Sequence, residues 1–332
     1  MTHGNNRIAA GQRSRLFPHP FPARFDLRLA EEIVASARKQ ALVLDPMAGS
    51  GTTLLAALNT GREAVGVDID PLAVQISRST VSAVKAEATI AAADQVAERA
   101  RELLTSPSSY EWSQNFASDE EIGFVRYWFP KESCRQLDAL ARSIEETPAS
   151  PLRLHLWLAF SAMIIAKTAG VSYAIDLSHS RPHKERGKEP EEPMTRWPAT
   201  VRRTVKLLEG LQNSGRGPAV AVRGDARHLP LASGSVHLVL TSPPYVTANG
   251  YMRPQGLVDL DWAPPVPRYP YRPLRTALVL PYCPHVRGCL VASAGGVGGV
   301  QLVVESNAIT SPKGFQLNVS AVVPVAFTNI SC

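Results

Sequence analysis

Four places in this 332-residue sequence carry side chains whose types and spacing suit chemistry rather than packing alone. The first is Asp45, followed closely by Gly49-Ser50-Gly51-Thr52. The second is Asp68, the third Asp225-Ala226, and the fourth Thr241-Ser242-Pro243-Pro244-Tyr245. Each stands at the end of an apolar run. The glycines let a ligand approach backbone N–H groups at a helix start, and a carboxylate across the crevice suits ribose hydroxyls. The turn lacks the Lys of a phosphate-cradling GxxxxGK(S/T) loop and the third glycine of a dinucleotide GxGxxG turn. Asp45 beside it would repel a pyrophosphate and attract a cation. The ligand implied therefore has a ribose, a cationic amino-acid end and no phosphate. S-adenosylmethionine, with an ammonium, a sulfonium and a ribose, has that chemistry.

Asp45-Pro-Met47-Ala-Gly49-Ser-Gly51-Thr52-Thr, followed by Gly66-Val-Asp68-Ile69-Asp-Pro71, resembles the cofactor-binding signature of DNA amino-methyltransferases. Ser242-Pro243-Pro244-Tyr245 resembles the catalytic tetrad of the same family: Asp, Asn or Ser, then two prolines, then an aromatic residue. The resemblance implies a Rossmann-like class I methyltransferase sheet, S-adenosylmethionine as cofactor and double-stranded DNA as substrate. It implies that Met47, Gly49, Gly51, Thr52, Ile69, Ala226 and Thr241 line the cofactor site with Asp45 and Asp68. It further implies that Asp225 accepts from the adenine amino group of the cofactor. Phe17-Pro-His-Pro-Phe21-Pro-Ala-Arg-Phe25 is similar to an HPxxFP stretch that closes over the methionine end in these enzymes, which assigns Phe21 and Phe25 to a lid.

The tetrad fits transfer to an exocyclic amine. Such an amine is a poor nucleophile because its lone pair is delocalised into the ring. The Ser242 hydroxyl and the Pro243 carbonyl can accept its hydrogen bonds, the two prolines stiffen the loop, and Tyr245 offers a flat face to a base taken out of the helix. Carbon-5 cytosine methylation needs a cysteine nucleophile in a Pro-Cys pair, and the chain has no such pair. The serine form of the tetrad leans toward N4 of cytosine in the resembled family, with adenine N6 and an RNA amine as alternatives.

Positioning these residues requires parallel strands over Ala41–Leu44, Ala64–Val67, Ala219–Asp225 and Ser235–Leu240, because ligand crevices in open α/β sheets lie beyond the strands' carboxyl ends. A helix is predicted from Thr52, stopping near Gly61, and another after Pro71. The sequence divides into a flexible arm over 1–16, a cofactor-binding catalytic domain over 17–85 and 218–253, and a mainly helical insertion over 86–217. The insertion is far longer than an ordinary crossover loop. Helices are predicted over 86–104, 131–146, 152–170 and 195–211, with 111–130 aromatic and irregular. The insertion is the candidate target-recognition region. His179, Arg181, His183, Lys184 and Arg186 offer donors to phosphate oxygens, and Arg202 and Arg203 mark a basic helix face.

Net charge is +6 and the pI about 9.2, a balance that favours an acidic partner, nucleic acid above all. No apolar stretch is long enough to span a membrane and no signal-peptide core opens the chain, so a cytoplasmic protein is expected. Four scattered cysteines make no disulfide framework, and Cys283, His285 and Cys289 fall short of a structural zinc set, so no metal is expected. The resemblance stops at Arg253. The segment 254–332 is rich in Pro, Tyr and Arg at first and low in charge later, and lacks the ending that completes the sheet in these enzymes. A frame change or truncation and a divergent C-terminal module are the two readings of that tail. The expected activity is restriction–modification or orphan DNA methylation. A remnant that binds cofactor or DNA without turnover is the alternative.

Overall fold

The computed structural model describes residues 17–21, 24–106, 111–115, 119–166, 170–174, 184, 187–212, 217–232 and 234–242, with the backbone of 288–295 and 299–306. Helix α1 (Leu27–Ser36) starts at Asp26, whose carboxylate accepts from the N–H groups of Arg28 and Leu29, and it buries Ala30 and Val34. Strand β1 (Leu42–Asp45), helix α2 (Thr52–Asn59), strand β2 (Glu63–Asp68) and helix α3 (Pro71–Val81) follow. Helix α3 is fixed at its start by Pro71 at the first helical position and by Asp70, which accepts from Leu72 N–H.

Five helices come next: α4 (Ala86–Thr105), α5 (Asp119–Trp128), α6 (Lys131–Glu146), α7 (Pro151–Ile164) and α8 (Pro193–Leu211), with a 3-10 turn at Trp112–Asn115. The chain then returns to the sheet through β3 (Ala219–Arg223) and β4 (Leu238–Val239). The order is β3-β2-β1-β4 and every pairing is parallel. This is an α/β protein with an open parallel sheet, and the central strand β1 is the one that leads into the glycine turn. A separate antiparallel pair, β5 (Gly288–Gly295) and β6 (Gly299–Ser306), lies in the tail.

Alternation along β1 explains the layering, since successive side chains point to opposite faces. Val43 joins Ala64, Ala221 and Leu240 in a core under α1 and α2, while Leu44 joins Val67, Val236 and Val239 on the other face. The helices from α4 to α8 build a core of their own around Trp197, Phe160 and Leu140. A small apolar joint of Leu72 and Ile76 from α3, Leu158 from α7 and Leu208 from α8 connects the two.

The helix expected over 152–170 ends at Ile164, and the strand expected to end at Asp225 ends at Arg223, leaving Asp225 in the loop that follows. Two further sequence expectations change. The segment expected to be irregular over 111–130 contains α5. Its Ile122, Val125 and Trp128 recur at helical spacing and face the helical core, so the aromatic density marks a buried stripe. The strand expected over 235–240 has regular ladder geometry only at Leu238–Val239. His237 N–H to Leu42 O and Leu240 N–H to Leu44 O, both 3.0 Å, extend its attachment to β1. Residues 1–16, 175–183 and 185–186, Pro243 through Arg253 and most of the tail, which carry several of the expected features, lie outside the described residues.

Candidate cofactor and acceptor site

The site grows from the carboxyl ends of β1, β2 and β4. Asp45 ends β1 and is only 4% exposed, and its Oδ1 accepts from Met47 N–H at 3.1 Å. Burial pushes its carboxyl up to about 6, and the nearby Asp68 charge adds to the rise. The Thr241 and Thr53 hydroxyls and the Met47 N–H pull the other way. Thr241 Oγ1, enclosed and without a hydrogen bond of regular geometry, helps through proximity alone. That proximity is itself informative. Thr241 is nearly two hundred residues from Asp45, and the parallel pairing of β4 with β1 delivers both to the same crevice.

Asp68 ends β2 and reaches back to the turn. Its Oδ2 accepts from Gly49 N–H at 2.8 Å and its Oδ1 from Asp70 N–H at 2.9 Å. Burial raises its carboxyl, against the pull of the Asp70, Gly49 and Ile69 N–H groups. Neither Asp45 nor Asp68 has a cationic partner among the described residues. Ile69, next along the chain, is an apolar side chain left 45% exposed at the crevice rim.

The glycines are required by backbone conformation and by space. Gly49 has φ +52° and a Cβ there would stand 3.2 Å from the Phe21 ring; Gly51 has φ +80° and a Cβ there would stand 3.0 Å from Ser77 Cα. Ser77 Oγ donates to Gly49 O at 2.8 Å, tying the turn to α3. Gly51 is the N-cap of α2, and no side chain caps that helix, so its first N–H groups have no side-chain acceptor. Phe21 lies over the turn, whereas Phe25 packs with the core beside α1 and α2.

Asp225 and Ala226 follow β3, and Gly224 N–H bonds Asp68 O at 2.9 Å, so this loop borders the same crevice. The Asp225 carboxylate is engaged: Arg227 Nε lies 2.9 Å from both of its oxygens, and this neighbour holds the carboxyl down at about 2. Ser242 is half-buried one residue beyond Thr241, and Pro243, Pro244 and Tyr245 lie outside the described residues. So do His179, Arg181, His183 and Arg186. Lys184 sits with its ammonium 3.8 Å from the centre of the Tyr127 ring, and Arg202 and Arg203 are exposed on α8, all in the helical region rather than at the crevice.

Residues 2–79, which contain the glycine turn and both strand-end carboxylates, match the family profile described as DNA methylase. The match is to the DNA methylase profile over less than a quarter of the chain. The chain is also similar to the type II methyltransferase M.MvaI of Kocuria varians, 24% identical over 150 residues, a stretch that is 44% of this chain and 33% of that protein. The match thus spans about a third of the relative's length. Two solved structures of the rRNA methyltransferase aviRa from Streptomyces viridochromogenes superpose at a TM-score of 0.25, with 15% and 14% identity. They cover 76% and 75% of this chain and 73% and 72% of theirs, a superposition too loose to inform the fold. Among the described residues no helix is long and apolar enough to cross a membrane, and no group of His, Cys, Asp and Glu could hold a metal ion.

Sequence reasoning passed over four polar residues of the crevice: His19, Arg24, Thr53 and Ser77. His19 and Arg24 stood inside a stretch that its prolines and aromatics had already marked. Ser77 lies two turns into α3, where only the return of that helix against Gly51 gives it a role.

Proposed function

We propose that this protein transfers a methyl group from S-adenosylmethionine to the exocyclic amine of a base in DNA, with N4 of cytosine as the acceptor. The observation that carries this reading is the convergence of Asp45 and Thr241 at one crevice. It sets the start of the Ser-Pro-Pro-Tyr loop beside the glycine turn, as transfer between two bound molecules requires. The residues present fit the cofactor. Gly49 and Gly51 clear space over the backbone, Asp45 and Asp68 supply uncompensated negative charge, and Ile69 offers an apolar rim to an adenine ring.

S-adenosylmethionine supplies an electrophilic methyl carbon on a sulfonium, so no enzyme nucleophile is needed. The chain's part is to bind, orient and exclude water. Asp45 would hold the ammonium and Asp68 the ribose hydroxyls. Ser242 and the Pro243 carbonyl accept hydrogen bonds from the amine, drawing its lone pair out of conjugation, and the extra proton leaves to solvent by way of the Ser242 hydroxyl. Tyr245 stacks on the flipped base. We assign the cofactor-binding catalytic part to 17–85 and 218–253 and the target contacts to 86–217. Within that region Arg202, Arg203 and Lys206 stand exposed on one face of α8 and suit a phosphate backbone.

The decisive experiment incubates purified full-length protein with methyl-labelled cofactor and mixed DNA and RNA, then digests the products. Label recovered as N4-methylcytosine from DNA is the expected result. Label in N6-methyladenine moves the acceptor base, and label only in RNA removes the DNA assignment. Cofactor binding without transfer identifies a remnant that has kept the site and lost turnover.

A further inference from the structure

The crevice holds a third charged group besides Asp45 and Asp68. Arg24, in the stretch before α1, is half-buried against the glycine turn. Its Nε donates to Ser50 Oγ at 3.2 Å, one terminal nitrogen donates to His19 O at 2.7 Å, and its guanidinium carbon lies 3.9 Å from the centre of the Phe17 ring. All of these partners are neutral, and desolvation alone lowers the guanidinium to about 10. The group is therefore shielded from water without an anion. Its other terminal nitrogen makes no hydrogen bond among the described residues. A shielded guanidinium is commonly paired with a carboxylate or phosphate, whose geometry matches its fork. Its backbone support is firm: His19, whose carbonyl it holds, is only 2% exposed and shares a 2.8 Å hydrogen bond with Ser161 of α7.

Among the described residues, three charged groups around one turn thus lack counter-charges, two negative and one positive. A ligand that answers Arg24 and one of the two carboxylates with a single compact group carries an ammonium and a carboxylate on one carbon. Such a ligand is an α-amino acid, free or as the end of a larger molecule. We infer that Arg24 is the carboxylate anchor of this site and makes it selective for ligands with an intact α-amino acid end. This rests on the cofactor reading above and adds the residue that recognises the carboxylate.

The test measures binding of S-adenosylhomocysteine and of its decarboxylated analogue, which keeps the amine, by calorimetry with the full chain. The wild type is expected to prefer the carboxylated ligand by about 10- to 100-fold, the range of one charge-assisted hydrogen-bonded contact. Arg24→Gln is expected to erase the preference by weakening only the carboxylated ligand. Arg24→Lys, which keeps the charge without the fork, is expected to restore part of it, and it carries the test if Arg24→Gln does not fold. A preference that survives Arg24→Gln, or no restoration by Arg24→Lys, overturns the assignment, as does a wild type that binds both ligands equally. A wild type that binds neither overturns the cofactor reading itself, and the anchor with it.

Discussion

Replacing Asp45 by Asn tests the electrostatics of the site without any ligand. In the folded protein the carboxyl is raised from its ordinary 3.8 to about 6, with burial as the main cause. A raised carboxyl means that the unfolded chain gives up its proton more readily than the folded one, so raising the pH from about 4 to 6 works against folding and the loss is constant above that. The difference corresponds to about 3 kcal/mol at roughly 1.4 kcal/mol per pH unit. The sign follows. Below about pH 4 Asp45 is protonated in both states and the substitution is near neutral, because the Asn carbonyl still accepts from Met47 N–H. Between pH 4 and 6 the wild type progressively loses stability that Asp45→Asn keeps, and above pH 7 the variant should be more stable by up to about 3 kcal/mol. Urea unfolding of both proteins from pH 4.5 to 8 reads the difference directly from the midpoints. A difference that does not vary with pH, or a variant less stable at pH 8, would refute the reasoning. With saturating cofactor the order should reverse, since the ligand's ammonium supplies the missing counter-charge.

Other substitutions probe the remaining contacts. Gly51→Ala should lower stability by at least about 1–2 kcal/mol from the left-handed backbone alone, with the Ser77 contact adding to it, as thermal unfolding would record. Arg227→Ala should let the Asp225 carboxyl rise from about 2 toward its ordinary 3.8, visible by NMR titration. Asp68→Ala should weaken cofactor binding while Tyr245→Ala spares it and removes transfer; equal loss of binding in both would contradict the roles assigned. Removing Arg202, Arg203 and Lys206 together should weaken DNA binding evenly across sequences and flatten its dependence on log salt by about 0.9 per lost phosphate contact, measured by filter binding.

The parallel sheet was legible because β1 and β2 are short apolar runs that end in acidic residues, a pattern that buried parallel strands impose. The same pattern placed Asp45, Asp68 and Thr241 at strand ends. The helix at Lys131–Glu146 was legible to the residue, since Leu137, Leu140 and Ile144 carry an unbroken 3.6-residue period. Helix α5 was not, because its buried stripe uses Val125 and Trp128 in a stretch whose aromatics and flanking Pro130 resemble a loop. Strand β4 was overdrawn. Alternation in 235–240 sets which residues are buried, but the length of a ladder depends on the partner strand, and β1 offers only four residues. The engagement of Asp225 by Arg227 and the setting of Arg24 were invisible for a different reason. Both depend on where side chains turn after the backbone has folded, and spacing holds no record of that.

The hydrogen bond between His19 and Ser161 fastens the short stretch over the glycine turn to α7. Phe21 of that stretch also rests on the joint of Leu72, Ile76, Leu158 and Leu208. The stretch over the glycine turn is therefore tied to the helical region at two points, one polar and one apolar. Burial holds the His19 ring down at about 3, so it is neutral throughout the working range of a cell. The polar tie does not answer to acidity there.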